Sequence, residues 1–119
     1  MYNFPLMDIK DLTLAMDRFV TEKGWYQPGT PRPQTPKNLA VSLCIEAAEV
    51  LELFQWSDQI SDSAKLAGEL ADVTLYLLQL AQIAGIDLES AVLDKLKINY
   101  QREWDRDTPV ERDQHVEEN

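Results

Sequence analysis

The sequence contains little cysteine, histidine or glycine, and it has no long apolar run. Cys44 is the only cysteine, so no disulfide can form within the chain. With four glycines among 119 residues, no glycine-rich phosphate-binding loop is present. Polar or acidic residues interrupt each apolar run before it could span a bilayer, and no basic-then-apolar signal opens the chain. These features predict a soluble cytoplasmic protein without a membrane partner.

Basic residues are also scarce. The chain has 11 Lys and Arg against 21 Asp and Glu, which gives a formal net charge of -10. Binding to a phosphate backbone needs clustered basic side chains, so this balance argues against a nucleic acid polymer as partner. A small phosphate ligand stays compatible with the charge if a metal ion mediates the contact. Between Asn38 and Asp94, Lys65 is the only basic residue.

Two carboxylate pairs lie in this poorly basic region, Glu46-Ala-Ala-Glu49 and Glu69-Leu-Ala-Asp72. Residues three apart on a helix lie side by side, so each pair presents two oxygen donors on one face. A carboxylate on a buried face is costly without a compensating cation. We therefore expect a hard divalent ion, Mg²⁺ with Mn²⁺ as a substitute, although a solvated acidic face is the alternative. Glu52 could hold a second ion, position a water or face solvent.

The apolar spacing predicts an all-α protein with helices over residues 8–23, 36–56, 62–84 and 87–104. Thr35 is the predicted N-cap of the second helix, Ser61 or Asp62 that of the third, and Gly24 and Gly85 end the first and third. The simplest architecture is one antiparallel four-helix bundle over residues 1–104, followed by a disordered polar tail over 105–119. The Pro-rich loop 25–36 is either a substrate-covering segment or a plain connector.

The fourth predicted helix carries cationic and amide side chains on one stripe, namely Lys95, Asn99 and Arg102. Such donors suit phosphate oxygens, but basic residues near a helix C-terminus also favour the helix dipole without any ligand. Aromatic side chains that could stack on a base, or else belong to the core, are Trp25, Tyr26, Trp56 and Tyr76. No E-x-x-H motif is present, which excludes a ferritin-like di-iron bundle.

The sequence has an E-x-x-E motif, a spacer and then an E-x-x-D motif. This arrangement resembles that of the MazG-like superfamily of all-α nucleoside triphosphate pyrophosphatases. Residues 36–56, 69–76 and 87–99 look especially like its dCTP pyrophosphatase branch. The resemblance implies Mg²⁺-dependent hydrolysis of dCTP, or of a related or modified pyrimidine deoxynucleotide, to monophosphate and pyrophosphate, by a homodimer or homotetramer. It also implies roles for particular residues: metal binding by Glu46, Glu49, Glu69 and Asp72, phosphate binding by Lys95 and Asn99, and contacts near base and sugar by Asn38 and Trp56.

One departure from the resemblance concerns the base. Related proteins often have a histidine shortly before the residue at position 38, where this chain has Gln34 and Thr35. The base preference therefore stays open. For the chemistry, Glu49 or Glu52 is the candidate that orients the attacking water, and Lys95 would stabilise phosphate charge. Two alternatives remain: a non-catalytic helical oligomerisation or regulatory module, and the same reaction on dUTP or damaged purine nucleotides.

Overall fold

The computed structural model describes residues 4–102, which form four helices and no strand. The helices are α1 (Ile9–Glu22), α2 (Pro36–Glu52), α3 (Ser63–Ile83) and α4 (Leu88–Gln101). The all-α prediction is therefore confirmed. None of these helices is long and apolar enough to cross a membrane. The predicted tail over 105–119, like Trp104, lies outside the described residues.

Three of the helices begin at side-chain caps. The side-chain oxygens of Asp8, Thr35 and Asp62 accept hydrogen bonds from the third backbone N–H of α1, α2 and α3, at 2.8, 3.2 and 3.0 Å. These bonds satisfy N–H groups that have no carbonyl partner inside the helix. The prediction of Thr35 is confirmed, and of the two candidates for α3 the cap is Asp62.

Glycines end α1 and α3, as predicted. Gly24 and Gly85 adopt φ values of +75° and +70°, a region that a residue with a Cβ adopts only at a cost. The following N–H groups then reach back into the helix, from Trp25 to the Val20 carbonyl at 3.3 Å and from Ile86 to the Ala81 carbonyl at 2.9 Å. This is the Schellman arrangement, which satisfies carbonyls at the helix end.

The end of α2 corrects the prediction. The helix stops at Glu52, four residues before the predicted end at Trp56. The N–H groups of Leu53, Phe54 and Gln55 each bond to the third preceding carbonyl, at 3.2, 3.0 and 3.2 Å. These tighter turns replace the α-helical pattern without a glycine or proline to mark the change. Trp56 consequently lies outside α2 and is 90% exposed.

The chain divides into two compact units, of which the first ends at Leu88 and the second begins at Glu89. In the first unit α3 packs against both α1 and α2. Gln34, just before α2, bonds to Gln79 late in α3, whereas Glu49 late in α2 lies near Glu69 early in α3. The two helices α2 and α3 therefore run antiparallel. A complete four-helix bundle stays a prediction.

The buried core of the first unit lies between α1 and α3. Met16, Val20 and Leu78 form its centre, and partly buried apolar side chains pack against them, namely Ile9, Trp25, Tyr26 and Leu88. On α2 only Leu39 is fully buried. Several large apolar side chains of α2 and α3 stay exposed instead, including Val41, Ile45, Leu51, Leu70 and Leu77.

Candidate metal centre and adjoining cavity

The two carboxylate pairs meet across the α2–α3 interface. Glu46, Glu49 and Glu69 each offer one carboxylate oxygen, and these oxygens lie within 4.8 Å of one another. The three side chains are half-buried. The antiparallel packing brings the last two turns of α2 beside the beginning of α3, so residues from separate motifs share one site.

Two oxygens of this cluster lack a partner. The Oε2 atoms of Glu46 and Glu69 are shielded from solvent and accept no hydrogen bond from residues 4–102. A shielded carboxylate oxygen without a donor or cation is unfavourable. Carboxylate oxygens are also the ligands that Mg²⁺ and Mn²⁺ prefer. The donor set therefore fits a hard divalent ion, which would supply the missing partner.

The electrostatics of the cluster are those of crowded like charges. Burial raises the pKa of Glu46 above its usual value, and the charges of Glu49 and Asp72 raise it further. The pKa of Glu69 is raised first by a hydrogen bond with Glu49 and next by burial, while the Lys65 charge opposes the rise. The cluster therefore favours binding of either a proton or a cation.

Asp72 lies near the three glutamates, but it is not a member of their cluster of close carboxylate oxygens. Its charge raises the pKa of both Glu46 and Glu69, which places it close to them. It also lines an adjoining cavity. Its predicted role as a metal ligand stays a prediction, whereas its place in the cavity wall, three residues after Glu69 on α3, is a feature of the structure.

The adjoining cavity, of about 530 Å³, is bordered by α1, α3 and the loop between α1 and α2. This volume lies in the range of small-molecule sites, about 300–1,000 Å³. Its wall is mainly apolar, and its polar members are Arg32, Gln34, Asp72, Tyr76 and Gln79. Since Asp72 forms part of the wall, the cavity opens next to the carboxylate cluster.

The Pro-rich loop supplies one side of the cavity through Trp25, Arg32 and Gln34. The Trp25 ring meets Phe19 edge-on, with ring centroids 5.6 Å apart, and the Arg32 guanidinium lies 5.7 Å from the Trp25 centroid. These contacts orient the indole. The loop is therefore more than a connector, and the predicted base-stacking residues Trp25 and Tyr76 both lie at the cavity.

A pair of amides that the sequence analysis left without a role joins the loop to α3. Gln79 is only 4% exposed, and its Nε2 donates to the Oε1 of Gln34 at 2.6 Å. The Nε2 of Gln34 in turn donates to the Arg32 carbonyl at 2.6 Å. In the sequence, Gln34 stands where related proteins often have a histidine, and Gln79 lies three residues after Tyr76 on α3.

Three other predicted residues lie away from the cavity wall. The Nδ2 of Asn38 donates to the Pro33 carbonyl at 2.9 Å, so its amide braces the loop. Trp56 follows the end of α2, and Glu52 is exposed in its last turn. Their roles at base, sugar or water stay predictions.

The predicted phosphate ligands belong to the second unit. Lys95 and Asn99 are exposed on α4, and Arg102 follows directly after the helix. Lys95 and Asn99 lie four residues apart on α4, whereas Arg102, three residues further on, lies beyond the end of the helix. Phosphate binding by these three residues stays a prediction from the sequence.

Comparison with known proteins gives a consistent family. The MazG-like family matches residues 41–118, a range that contains both carboxylate pairs. The dCTP pyrophosphatase 1 of Rattus norvegicus is 35% identical over 107 residues, a match that covers 82% of this chain. The chain spans only 60% of that relative's length. A dATP/dGTP diphosphohydrolase of Salmonella phage PMBT28 is 55% identical over 40 residues, which cover 34% of this chain and 14% of the phage protein.

A solved structure agrees with the fold. The crystal structure of a pyrophosphatase from Archaeoglobus fulgidus superimposes with a TM-score of 0.69 and 31% sequence identity. The match covers 87% of this chain and 99% of the archaeal one.

Proposed function

This chain belongs to the MazG-like family, and from that premise we propose that it hydrolyses a nucleoside triphosphate to the monophosphate and pyrophosphate with a divalent metal ion. The observation that carries the proposal is the pair of shielded, partnerless oxygens on Glu46 and Glu69. A surface acidic patch of a non-catalytic helical module would leave such oxygens hydrated. The cavity beside Asp72 offers space for the rest of a nucleotide.

The proposed substrate is dCTP or a related or modified pyrimidine deoxynucleotide, which would make the protein a cytoplasmic enzyme that removes unwanted nucleotides. The name of the rat relative supports this choice. The name of the phage relative supports the alternative of a purine deoxynucleotide, although that match covers a much shorter part of the chain. The same reaction on dUTP is the remaining alternative.

Glu46, Glu49, Glu69 and Asp72 are the residues that would hold the ion, with Mg²⁺ first and Mn²⁺ as a substitute. An ion held there would offset phosphate charge and would make a bound water easier to deprotonate. Glu49, or Glu52 in the last turn of α2, would accept the proton of the attacking water and hold that water in line.

The substrate contacts are proposed in two groups. In the first unit, Trp25 and Tyr76 would pack against the base in the cavity. In the second unit, Lys95, Asn99 and Arg102 would bind phosphate oxygens, where charge-assisted hydrogen bonds are strongest. Asn38 and Trp56 would act near the base and sugar, as the family resemblance implies.

We propose that the working form is a homodimer or homotetramer. Val41 and Ile45 lie one turn apart on α2, and both side chains are about half exposed. Leu51, Leu70 and Leu77 add further exposed apolar surface on α2 and α3. Apolar surface of this extent is unfavourable in water, and its burial contributes about 25 cal/mol per Å². A second copy of the chain is the occupant that the family resemblance implies.

The product pattern tests the proposed reaction. A panel of canonical and modified triphosphates is incubated with the protein in Mg²⁺ or in EDTA, and the products are separated by anion-exchange chromatography. We expect monophosphate and pyrophosphate in equal amounts, and only with metal. Diphosphate with inorganic phosphate would assign a different bond cleavage, and no product from any triphosphate would favour the non-catalytic module.

A further inference from the structure

The orientation of the Gln79 amide is fixed by a short hydrogen-bond relay. The Arg32 carbonyl can only accept, so Gln34 must present its NH₂ group to it, at 2.6 Å. The Oε1 of Gln34 then faces Gln79 and requires a donor, which the Nε2 of Gln79 provides at 2.6 Å. A backbone carbonyl in the loop thereby determines which end of a buried side chain on α3 donates.

The relay leaves one acceptor unused. The Nε2 of Gln79 is engaged with Gln34. Burial raises the pKa of the nearby Tyr26 hydroxyl, and the Gln79 amide partly opposes that rise. The bond to Gln34 uses the Nε2 of Gln79 and not its Oε1. Because Gln79 lines the cavity and the amide is held in place, this oxygen is a fixed acceptor for a cavity ligand.

We infer that the Gln34–Gln79 pair sets the base preference, with the Gln79 oxygen accepting a hydrogen bond from the exocyclic amino group of the nucleobase. Gln79 is the specificity-determining contact, and Gln34 is a positioning residue that acts through it. The pair selects bases with an amino group at the pyrimidine 4 or purine 6 position, cytosine or adenine. It disfavours bases with a keto oxygen there, because two acceptors would face each other. The inference rests on the proposed function for the identity of the ligand as a nucleotide.

The cavity supports a base as the occupant. Its wall combines the oriented Trp25 ring and Tyr76 with few polar groups, as expected for a flat aromatic ligand with one polar edge. Asp72 lies in the same wall and beside the metal-binding carboxylates, so a base in the cavity would have its phosphates toward the cluster. Without Gln34, nothing in the relay would prevent the Gln79 amide from rotating to donate.

The test measures binding rather than turnover. Dissociation constants are determined calorimetrically in Mg²⁺ for two pairs of α,β-imido analogues, dCTP with dUTP and dATP with dITP. In each pair the first base has an amino group where the second has a keto group. We expect the wild type to bind the amino member of at least one pair about tenfold more tightly, the effect of one hydrogen bond left unmade. Gln79→Met should weaken binding of that amino analogue about tenfold and should not weaken binding of the keto analogue.

The positioning role has its own signature. In Gln34→Met the freed Gln79 amide can rotate and donate, so the keto analogue should bind more tightly than it does to wild type, a gain that mere damage to the fold would not produce. Gln82→Met, an exposed glutamine on the same helix, is the matched control and should keep the wild-type ratio. If Gln79→Met does not fold, Gln34→Met decides.

Equal binding of both members of each pair by the wild type would overturn the inference, as would wild-type ratios in both variants or no binding of any analogue. Discrimination in binding without hydrolysis of the corresponding triphosphates would instead contradict the proposed function and leave the amide pair as a base-reading device.

Discussion

Glu49 and Glu69, on antiparallel neighbouring helices, each place a carboxylate oxygen within 4.8 Å of the other, and a hydrogen bond with Glu49 is the largest cause of the raised pKa of Glu69. Two carboxylates can share a hydrogen bond only if one holds a proton, so the pair in isolation favours protonation. A divalent ion can replace that proton and pair with both groups. Proton and metal ion therefore compete for the same carboxylates, and stability should depend on both pH and metal.

The first prediction concerns pH and the metal-free protein. Burial and its acidic neighbours raise the pKa of Glu46 above its usual 4.5. A group with a higher pKa in the folded state gives stability that is complete below the unfolded pKa and is lost as the pH rises through the folded pKa. Glu46→Gln should therefore be more stable than wild type at neutral pH in EDTA, and the difference should shrink as the pH falls toward 4.5. Thermal unfolding followed by circular dichroism from pH 4 to 8 measures this difference. A difference that stays constant across the range would contradict the assignment.

The second prediction concerns the metal ion. A ligand that binds only the folded state at 100 times its Kd stabilises that state by about 2.7 kcal/mol. Mg²⁺ should therefore raise the Tm of the wild type at neutral pH, and the effect should fade at low pH because protons compete for the carboxylates. Glu69→Gln should lose most of the gain, whereas Asp58→Asn, an exposed loop acid, should keep it. Equal gains in both variants would place the ion elsewhere.

The third prediction concerns self-association. Ile45→Glu puts a charge on the exposed apolar surface of α2 and should shift the protein toward the monomer, of 13.6 kDa. The wild type should sediment at two or four times that mass in analytical ultracentrifugation. Gln27→Glu adds the same charge in an exposed loop and should leave the mass unchanged. A monomeric wild type would refute the proposed assembly.

The fourth prediction uses two glycines whose surroundings are equally open. A Cβ built on Gly68 or on Gly24 meets no atom within 4 Å. Gly68 lies inside α3, so Gly68→Ala should raise the free energy of unfolding by about 0.5–1 kcal/mol. Gly24 has a φ of +75°, so Gly24→Ala should lower it by about 1–2 kcal/mol. Urea denaturation separates the two, and a similar effect at both positions would mean that backbone conformation is not the cause.

Local chemistry explains which parts of the fold were predictable. The caps at Thr35 and Asp62 and the stops at Gly24 and Gly85 depend on a few neighbouring residues, so the sequence indicates them directly. The carboxylate cluster was predictable for a similar reason. Spacing of three residues puts each pair on one helix face, and the shortage of basic residues points to an external cation.

Features that depend on distant residues were not predictable in the same way. No glycine or proline marks the end of α2, where hydrogen bonds to the third preceding carbonyl take over at Leu53. In α3 apolar residues occur on most faces, so periodicity does not show that Leu78 is buried while Leu77 is exposed. The bond between Gln34 and Gln79 joins residues 45 positions apart and needs the folded loop.

The rate of pyrophosphate release from the preferred triphosphate at saturating Mg²⁺ shows whether the carboxylate cluster holds the catalytic ion. The wild type is compared with Glu46→Gln, Glu69→Gln and the control Glu22→Gln, an exposed acid at the end of α1. If the cluster holds the catalytic ion, both cluster variants should lose activity by about 100-fold or more while remaining folded. The control variant should be as active as the wild type in Mg²⁺. EDTA should abolish the activity of the wild type. Wild-type rates in Glu46→Gln and Glu69→Gln would contradict the account.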